Sequence, residues 1–239
     1  MSRRVGVLVP AAGSGERMGG IKKPFVLLRG EPLLLHALRP LLGRRDVVAV
    51  RVALASGDAI DPPAWLRGLD QRIACVAGGT TRSASVRAAL DALPDVDVVV
   101  VHDGARPLLT PGLLERCIAA SGGEVAAAAG WPASDTLKQV DDAGRVVATP
   151  DRSRLWHAQT PQAFAQALLR RAYEAWDGSE LSDDAALVER AGGTVVMVEG
   201  PRTNLKVTRP EDVAVAEALL ATGAPGSSRA GSARPPPRD

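Results

Sequence analysis

Aromatic residues are scarce in this chain: Phe, Trp and Tyr together make up 3% of its 239 residues. Nucleic-acid surfaces that stack bases are built from such rings, so their scarcity argues against one. The core must instead be filled by Val, Leu, Ile and Ala. An excess of one charge is missing too. Twenty-nine basic and 27 acidic residues leave a net +2, too little to attract a polyanion in bulk, so any anion must be met by a local cluster. The two cysteines, Cys75 and Cys117, lie in or beside apolar segments. They are too few for a disulfide framework, lack metal-site spacing, and read as packing residues. No apolar run reaches membrane-spanning length. The run Val5–Val9 is too short for a signal-peptide core and leads into glycines, not a cleavage site. These absences point to a cytoplasmic globular protein without membrane or nucleic-acid partners.

What is present is an alternation. Short Val-rich runs (Val5–Val9, Val47–Ala53, Ile73–Val76, Val96–Val101, Val125–Ala129, Thr194–Val198) read as strands. Between them, Leu33–Leu42, Ser83–Leu93, Pro111–Ala120, Gln162–Ala175 and Asp183–Ala191 read as helices. Near-continuous apolar strands separated by helices indicate an α/β fold: a doubly wound, mostly parallel, Rossmann-like sheet covered on both faces. Such sheets bind ligands beyond the carboxyl ends of their strands, which directs attention to the loops there.

One segment departs from the alternation. Lys138–Val140, a polar Asp141-Asp142-Ala143-Gly144 turn and Arg145–Ala148 predict a β-hairpin protruding as an arm over about 132–155. A lone hairpin cannot bury both faces. Pairing with a second subunit and packing back on its own domain are both open solutions. A last helix is predicted over Pro210–Leu220, with Pro early and Glu211-Asp212 in its first turn. Residues 1–221 thus read as a single domain, and the Gly-, Ser-, Pro- and Arg-rich residues 222–239 as a disordered tail.

The first strand runs into Pro10-Ala11-Ala12-Gly13-Ser14-Gly15-Glu16-Arg17-Met18-Gly19-Gly20 and then Ile21-Lys22-Lys23-Pro24. Glycines leave backbone N–H groups free to line a concave anion site, and Arg17 and Lys23 add cationic donors at its mouth. A Walker loop would need Gly-x-x-x-x-Gly-Lys-Ser/Thr, which does not occur. A dinucleotide fingerprint would need a third glycine where Met18 stands. A merely flexible loop would explain the glycines but not the two cations. Phosphate binding follows; the identity of the nucleotide does not. After the fourth strand, His102-Asp103-Gly104-Ala105-Arg106-Pro107 offers an Asp suited to a metal or a hydroxyl and an Arg suited to a phosphate. An Asp–Arg pair that only orders a turn reads equally well.

The run Ala11–Met18 followed by Lys23 resembles the signature of the sugar-phosphate nucleotidyltransferases. In that superfamily the loop wraps a triphosphate, which assigns transition-state stabilisation to Arg17 and Lys23. The later segments are similar to the methylerythritol phosphate cytidylyltransferases. They are Gly78-Gly79 with Arg82 and Ser85-Val86, His102–Pro107, Asp135-Thr136, Asp151-Arg152, Leu155–Gln162, and Asn204–Asp212. The resemblance is collinear over roughly residues 3–221. It implies transfer of CMP from CTP to 2-C-methyl-D-erythritol 4-phosphate with release of pyrophosphate, a step towards isoprenoid precursors. It further implies nucleotide contacts from Ala11, Ala12, Gly13, Gly15, Gly78, Gly79 and Ser85. Substrate contacts fall to Asp103, Arg106, Thr136, Arg152, Ser182 and Lys206, and the catalytic residues are Arg17, Lys23, Arg152 and Lys206. Mg²⁺ would be carried mainly by the triphosphate, with Asp103 a candidate ligand. A homodimer through the arm is implied, with Arg152 acting in cis or in trans.

Pro24 stands where the family usually has a polar residue, and Ser182 where Thr is common, with the hydroxyl kept. Trp131, Trp156, His157 and Trp176 read as packing residues. Three rival readings are a ribitol-phosphate cytidylyltransferase, a nucleotide-binding regulator without catalysis, and an NAD(P)-binding module. The last is weakened by the imperfect glycine pattern.

Overall fold

Along the first strand Val5, Val7 and Val9 join one apolar cluster while Leu8 joins another, and all four are fully buried. Two-sided burial of this kind requires a sheet covered on both faces. The computed structural model describes residues 3–13, 22–179 and 181–222. Its strands are β1 (Val5–Pro10), β2 (Leu27–Leu28), β3 (Glu31–Pro32), β4 (Val47–Leu54), β5 (Ile73–Ala77) and β6 (Val98–Val101). There follow β7 (Val125–Pro132), β8 (Gln139–Val140), β9 (Val146–Ala148), β10 (Trp156–Ala165) and β11 (Thr194–Glu199). The helices are α1 (Leu33–Leu42), α2 (Ser56–Ile60), α3 (Ala64–Arg67) and α4 (Arg82–Asp91). To these are added α5 (Pro111–Ala120), α6 (Gln166–Glu174), α7 (Asp184–Arg190) and α8 (Pro210–Ala221).

Seven strands form the main sheet in the order β11-β7-β10-β6-β1-β4-β5. Pairing is parallel except that β10 runs antiparallel to both β6 and β7. Helices α1 and α5 cover one face, packing Leu34, Leu38, Leu113 and Leu114 against Val7, Val50 and Val100. Helices α4, α6 and α7 cover the other, packing Leu90, Leu169 and Val188 against Leu8, Val99 and Phe164. Thr81, Thr110 and Asp183 cap α4, α5 and α7 by accepting the N–H of Ala84, Leu113 and Ala186. Each cap satisfies one of the orphan donors of a helix start.

The segment predicted as the start of a helix, Gln162–Ala165, is instead the end of β10. Gln159, Thr160 and Gln162 are buried polar residues, which hid the strand from an apolar-pattern reading, and Pro161 withholds a ladder donor. The pairing of β10 with β7 shifts register between Ala158 and Gln162. The short β2–β3 hairpin, also not foreseen, turns through Arg29 and Gly30, both at positive φ (53° and 81°). That pair of angles is what a two-residue turn of matching twist requires.

The predicted hairpin is present as β8 and β9, paired antiparallel, with the Asp141 carboxylate accepting the N–H groups of Ala143 and Arg145 across the turn. Its Val140, Val146 and Val147 remain 52%, 58% and 59% exposed. Packing back on its own domain therefore does not cover these valines. The predicted tail lies outside the described residues apart from Thr222.

Candidate active site

From β1 the chain fills β4 and β5 on one side, then crosses to place β6 on the other side of β1. This reversal is a topological switch point, where the loops leaving adjacent strands diverge and open a crevice. A cleft of about 730 Å³ lies there, lined by residues that include Ala11, Ala12, Gly13, Gly79 and Ser85. The loops approach so closely that glycine is needed. A Cβ on Gly78 would stand 2.5 Å from the Cβ of Ala12 and 2.8 Å from Ser85 Oγ. Ser85 Oγ donates to the Thr81 carbonyl at 2.9 Å. That bond ties the first turn of α4 to its cap and leaves a small-residue wall.

Charge gathers on the opposite side. Among the described residues Lys23, Arg82 and Lys206 line the cleft with a single acid, Asp103. Asp103 is 6% exposed. Its Oδ1 accepts from Arg82 Nε at 3.0 Å, and its Oδ2 pairs with Lys206 Nζ at 2.8 Å and Arg106 Nε at 3.8 Å. Burial alone would raise the carboxyl pKa. The Arg82, Lys206 and Arg106 cations outweigh it and hold the group well below the usual carboxylate range. Burial likewise works against the charge on Arg82, but Asp184 and Asp103 more than compensate and push its pKa up. For Arg106 burial prevails, and its pKa is lowered.

Neutral buried groups brace this cluster. The His102 ring meets the Arg106 carbonyl through Nε2 (3.1 Å) and Thr160 Oγ1 through Nδ1 (3.1 Å). Thr160 Oγ1 in turn accepts the Asp103 N–H at 3.0 Å. One arrangement satisfies all three contacts: Nε2 carries the proton and Thr160 donates to Nδ1. Fully buried Asn204 donates to Gln159 Oε1 (3.0 Å) and the Thr160 carbonyl (2.8 Å), and its own carbonyl accepts from Arg106 Nη1 (2.8 Å). The closing segment is thus stitched to β10 and to the loop after β6, which sets where Lys206 enters the cleft.

Burial lowers the His102 pKa to about 4 from an ordinary 6.5. Below pH 6.5 the unfolded chain takes up a proton that the folded one refuses, so stability falls with pH until about 4. The full loss is roughly 3 kcal/mol. Urea unfolding of the wild type is expected to weaken steadily from pH 6.5 to 4.5, and His102→Asn to flatten that slope. An equal slope in the variant would contradict the assignment.

Several sequence-predicted residues converge here. Ala11, Ala12, Gly13, Gly79, Ser85, Lys23, Asp103 and Lys206 line the cleft, and Gly78 sits directly behind Ala12. Lys23, not its neighbour Lys22, faces the site: Lys22 Nζ pairs with Asp58 of α2 at 2.6 Å. Arg17 and Gly15 lie outside the described residues. Arg106 is buried behind Asp103 and is not among the cleft-lining residues. Thr136 and Arg152 belong to the exposed arm, and Ser182 is exposed just before the α7 cap; none of the three lines this chain's cleft. Arg152 donates to the Ser134 carbonyl across the arm's base.

Arg82 and Asp184 are more central than the sequence suggested. Arg82 was visible only as part of a motif, and Asp184 only as a position inside a predicted helix. The ring of His157 stacks on Trp131 with centroids 3.8 Å apart, in keeping with packing. Cys75 and Cys117 are free, and burial pushes the Cys117 thiol up to about 12, so it is inert.

Among the described residues no group of three or more His, Cys, Asp or Glu could hold a metal ion, and Asp103 is the one carboxylate lining the cleft. Mg²⁺ keeps most of its waters and needs only one or two carboxylates beside substrate phosphates. The donor set therefore fits an ion carried mainly on a polyphosphate; the carboxylate at hand is Asp103, whose oxygens also meet Arg82 and Lys206.

Among the described residues three cations face one acid over a glycine-lined switch point, which suits a reaction in which charge builds on phosphates. The fold and site are those of a nucleotidyltransferase. Residues 5–222 match the family described as IspD: 2-C-methyl-D-erythritol 4-phosphate cytidylyltransferase, and the chain belongs to that family. It is 41% identical to the protein of that name from Microcystis aeruginosa, with 90% of this chain and 97% of that protein covered. It is 44% identical to the bifunctional enzyme IspD/IspF of Rhodopseudomonas palustris over 96% of this chain, and spans 58% of that longer protein. The crystal structure of 2-C-methyl-D-erythritol 4-phosphate cytidylyltransferase from Thermus thermophilus superposes with a TM-score of 0.75. That match has 38% identity and covers 92% of this chain and 98% of the other. Among the described residues no helix is long and apolar enough to cross a membrane.

Proposed function

We propose that this protein transfers CMP from CTP to 2-C-methyl-D-erythritol 4-phosphate, releasing pyrophosphate. The observation that carries this reading is the switch-point cleft that sets Lys23, Arg82 and Lys206 against one buried carboxylate in a chain of this family. A phosphate oxygen of the polyol phosphate attacks the α-phosphorus of CTP in line. The α–β phosphoanhydride bond breaks, and pyrophosphate takes the electron pair. A phosphate monoester has its second pKa near ~6 and is already largely dianionic at neutral pH, so no general base is required. That agrees with the pairing of Asp103, which is held ionised by its cations and is a poor base. Catalysis then consists of positioning and charge stabilisation.

Lys23 meets charge on the α-phosphate and the leaving group, assisted by Arg17. Ala11, Ala12, Gly13, Gly15, Gly78, Gly79 and Ser85 accommodate the nucleotide. Lys206 and Arg152 grip the incoming phosphate, and Asp103, Arg106, Thr136 and Ser182 define the polyol side. Mg²⁺, carried mainly by the triphosphate with Asp103 a candidate ligand, would supply charge neutralisation. Residues 1–221 act as one unit in the cytoplasm, as a homodimer through the arm. The exposed Val140, Val146 and Val147 support that pairing. A partner's arm would also explain why Thr136 and Arg152 stand outside this chain's own cleft.

The test is pyrophosphate release with CTP, Mg²⁺ and a panel of polyol phosphates. Methylerythritol phosphate should be turned over fastest, and a preference for ribitol phosphate would overturn the substrate assignment. Arg152→Ala should raise the Michaelis constant for the polyol phosphate by about tenfold or more, as for a lost charge-assisted phosphate contact. A change confined to the constant for CTP would assign Arg152 elsewhere.

A further inference from the structure

A second acid stands behind the cleft with no role in the reaction as described. Asp184, in the first turn of α7, has a fully buried side chain. Its Oδ2 accepts from Arg82 Nη1 at 2.7 Å, and its Oδ1 accepts the Tyr173 hydroxyl of α6 at 2.5 Å. Tyr173 is itself buried. Arg82 opens α4, so three helices of one face meet at this carboxylate. A buried charge is tolerated only when paired and hydrogen-bonded, and both oxygens of Asp184 are so satisfied.

The pairing has a direction. A guanidinium is a rigid planar fork, and two carboxylates gripping two of its nitrogens fix its plane as one could not. Asp103 holds Arg82 from the cleft side through Nε, and Asp184 holds it from the core through Nη1. The other oxygen of Asp103 meets Lys206 Nζ at 2.8 Å. An unbroken series of contacts therefore runs Tyr173, Asp184, Arg82, Asp103, Lys206, from the core to the cation at the cleft wall. Among the described residues Arg82 Nη2 is buried without a partner, so the fork is held by these two acids.

We propose that Asp184, anchored by Tyr173, is a positioning residue for the transfer reaction. It shares Arg82 with Asp103, so that Asp103 keeps one oxygen for Lys206 and the Lys206 ammonium stays where the incoming phosphate arrives. This rests on the reaction proposed above. Without the charge on Asp184, Arg82 is drawn wholly to Asp103 and competes with Lys206 for it. The damage then falls on kcat with the second substrate, although Asp184 touches neither substrate.

The test is a double-mutant cycle on the full chain, with Asp184→Asn, Arg82→Ala and the two combined, measured by pyrophosphate release and by urea unfolding. Asp184→Asn should lower kcat about tenfold to a hundredfold, with the Michaelis constant for CTP changed less than threefold. In the Arg82→Ala background the same substitution should change kcat less than twofold, because the group through which it acts is gone. The double variant should also be more stable than Arg82→Ala alone, since the buried carboxylate no longer lacks a counter-charge. An equal loss of kcat in both backgrounds overturns the proposal, as does lowered stability with kcat unchanged. Tyr173→Phe keeps the proposal testable if Asp184→Asn does not fold: kcat should fall about twofold to fivefold in a folded protein, and an unchanged kcat overturns it. A wild type that does not transfer CMP at all would sink the underlying reaction and this inference with it. An active wild type that is indifferent to Asp184→Asn sinks the inference alone.

Discussion

Lys23→Ala is expected to lower turnover by about two to three orders of magnitude while leaving the fold intact, the cost of one lost transition-state donor. The fold should survive because neighbouring residues do the local packing. Pro24 is buried in the short 3-10 turn that Lys23 begins, and Phe25 packs against the main core. The lysine itself lines the cleft. Lys22 cannot substitute for it while held by Asp58, so Lys22→Ala should have little effect on turnover. Steady-state pyrophosphate release alongside urea unfolding would decide the matter. Near-normal turnover in a well-folded Lys23→Ala protein would remove this residue from the chemistry.

Asp103→Ala should destabilise the protein by about 3–5 kcal/mol, the usual cost of breaking a buried ion cluster from one side. The carboxylate is the charge partner that Arg82, Lys206 and Arg106 have in common. Arg82 would keep Asp184, but Arg106 is buried with no other ion-pair partner among the described residues. Turnover should fall as well, because Lys206 loses the contact that holds its ammonium. With total stabilities typically about 5–15 kcal/mol, the variant should still fold at low temperature, so both effects can be measured. A loss below about 1 kcal/mol in urea unfolding would show that the cluster does not brace the site.

Much of the cleft lining was legible because its residues are local in sequence. The glycines and alanines after the first strand, Lys23, and the His102–Pro107 loop each announce a function over a few adjacent residues. What stayed hidden depended on distant partners. The strand Trp156–Ala165 was read in part as helix, because Gln159, Thr160 and Gln162 are polar where a buried strand is usually apolar. Their polarity is spent on Asn204, His102 and Asp183, residues between 21 and 58 positions away. Departures from simple patterning at a functional site are what such networks produce. Arg82 and Asp184, separated by 102 residues, give no sequence signal as a pair.

The sequence alone determined the alternation of strands and helices, the end of the first strand at the cleft and the hairpin. These follow from burial period, turn chemistry and the conformational freedom of glycine, all properties of near neighbours along the chain. Only the tertiary structure decided that Arg106 lies behind the cleft instead of in it, that Arg82 is shared by two acids, and that the arm's valines remain uncovered. The physical reason is that the state of a charge or an apolar surface depends on what the fold brings against it, and those partners come from elements far apart in the chain.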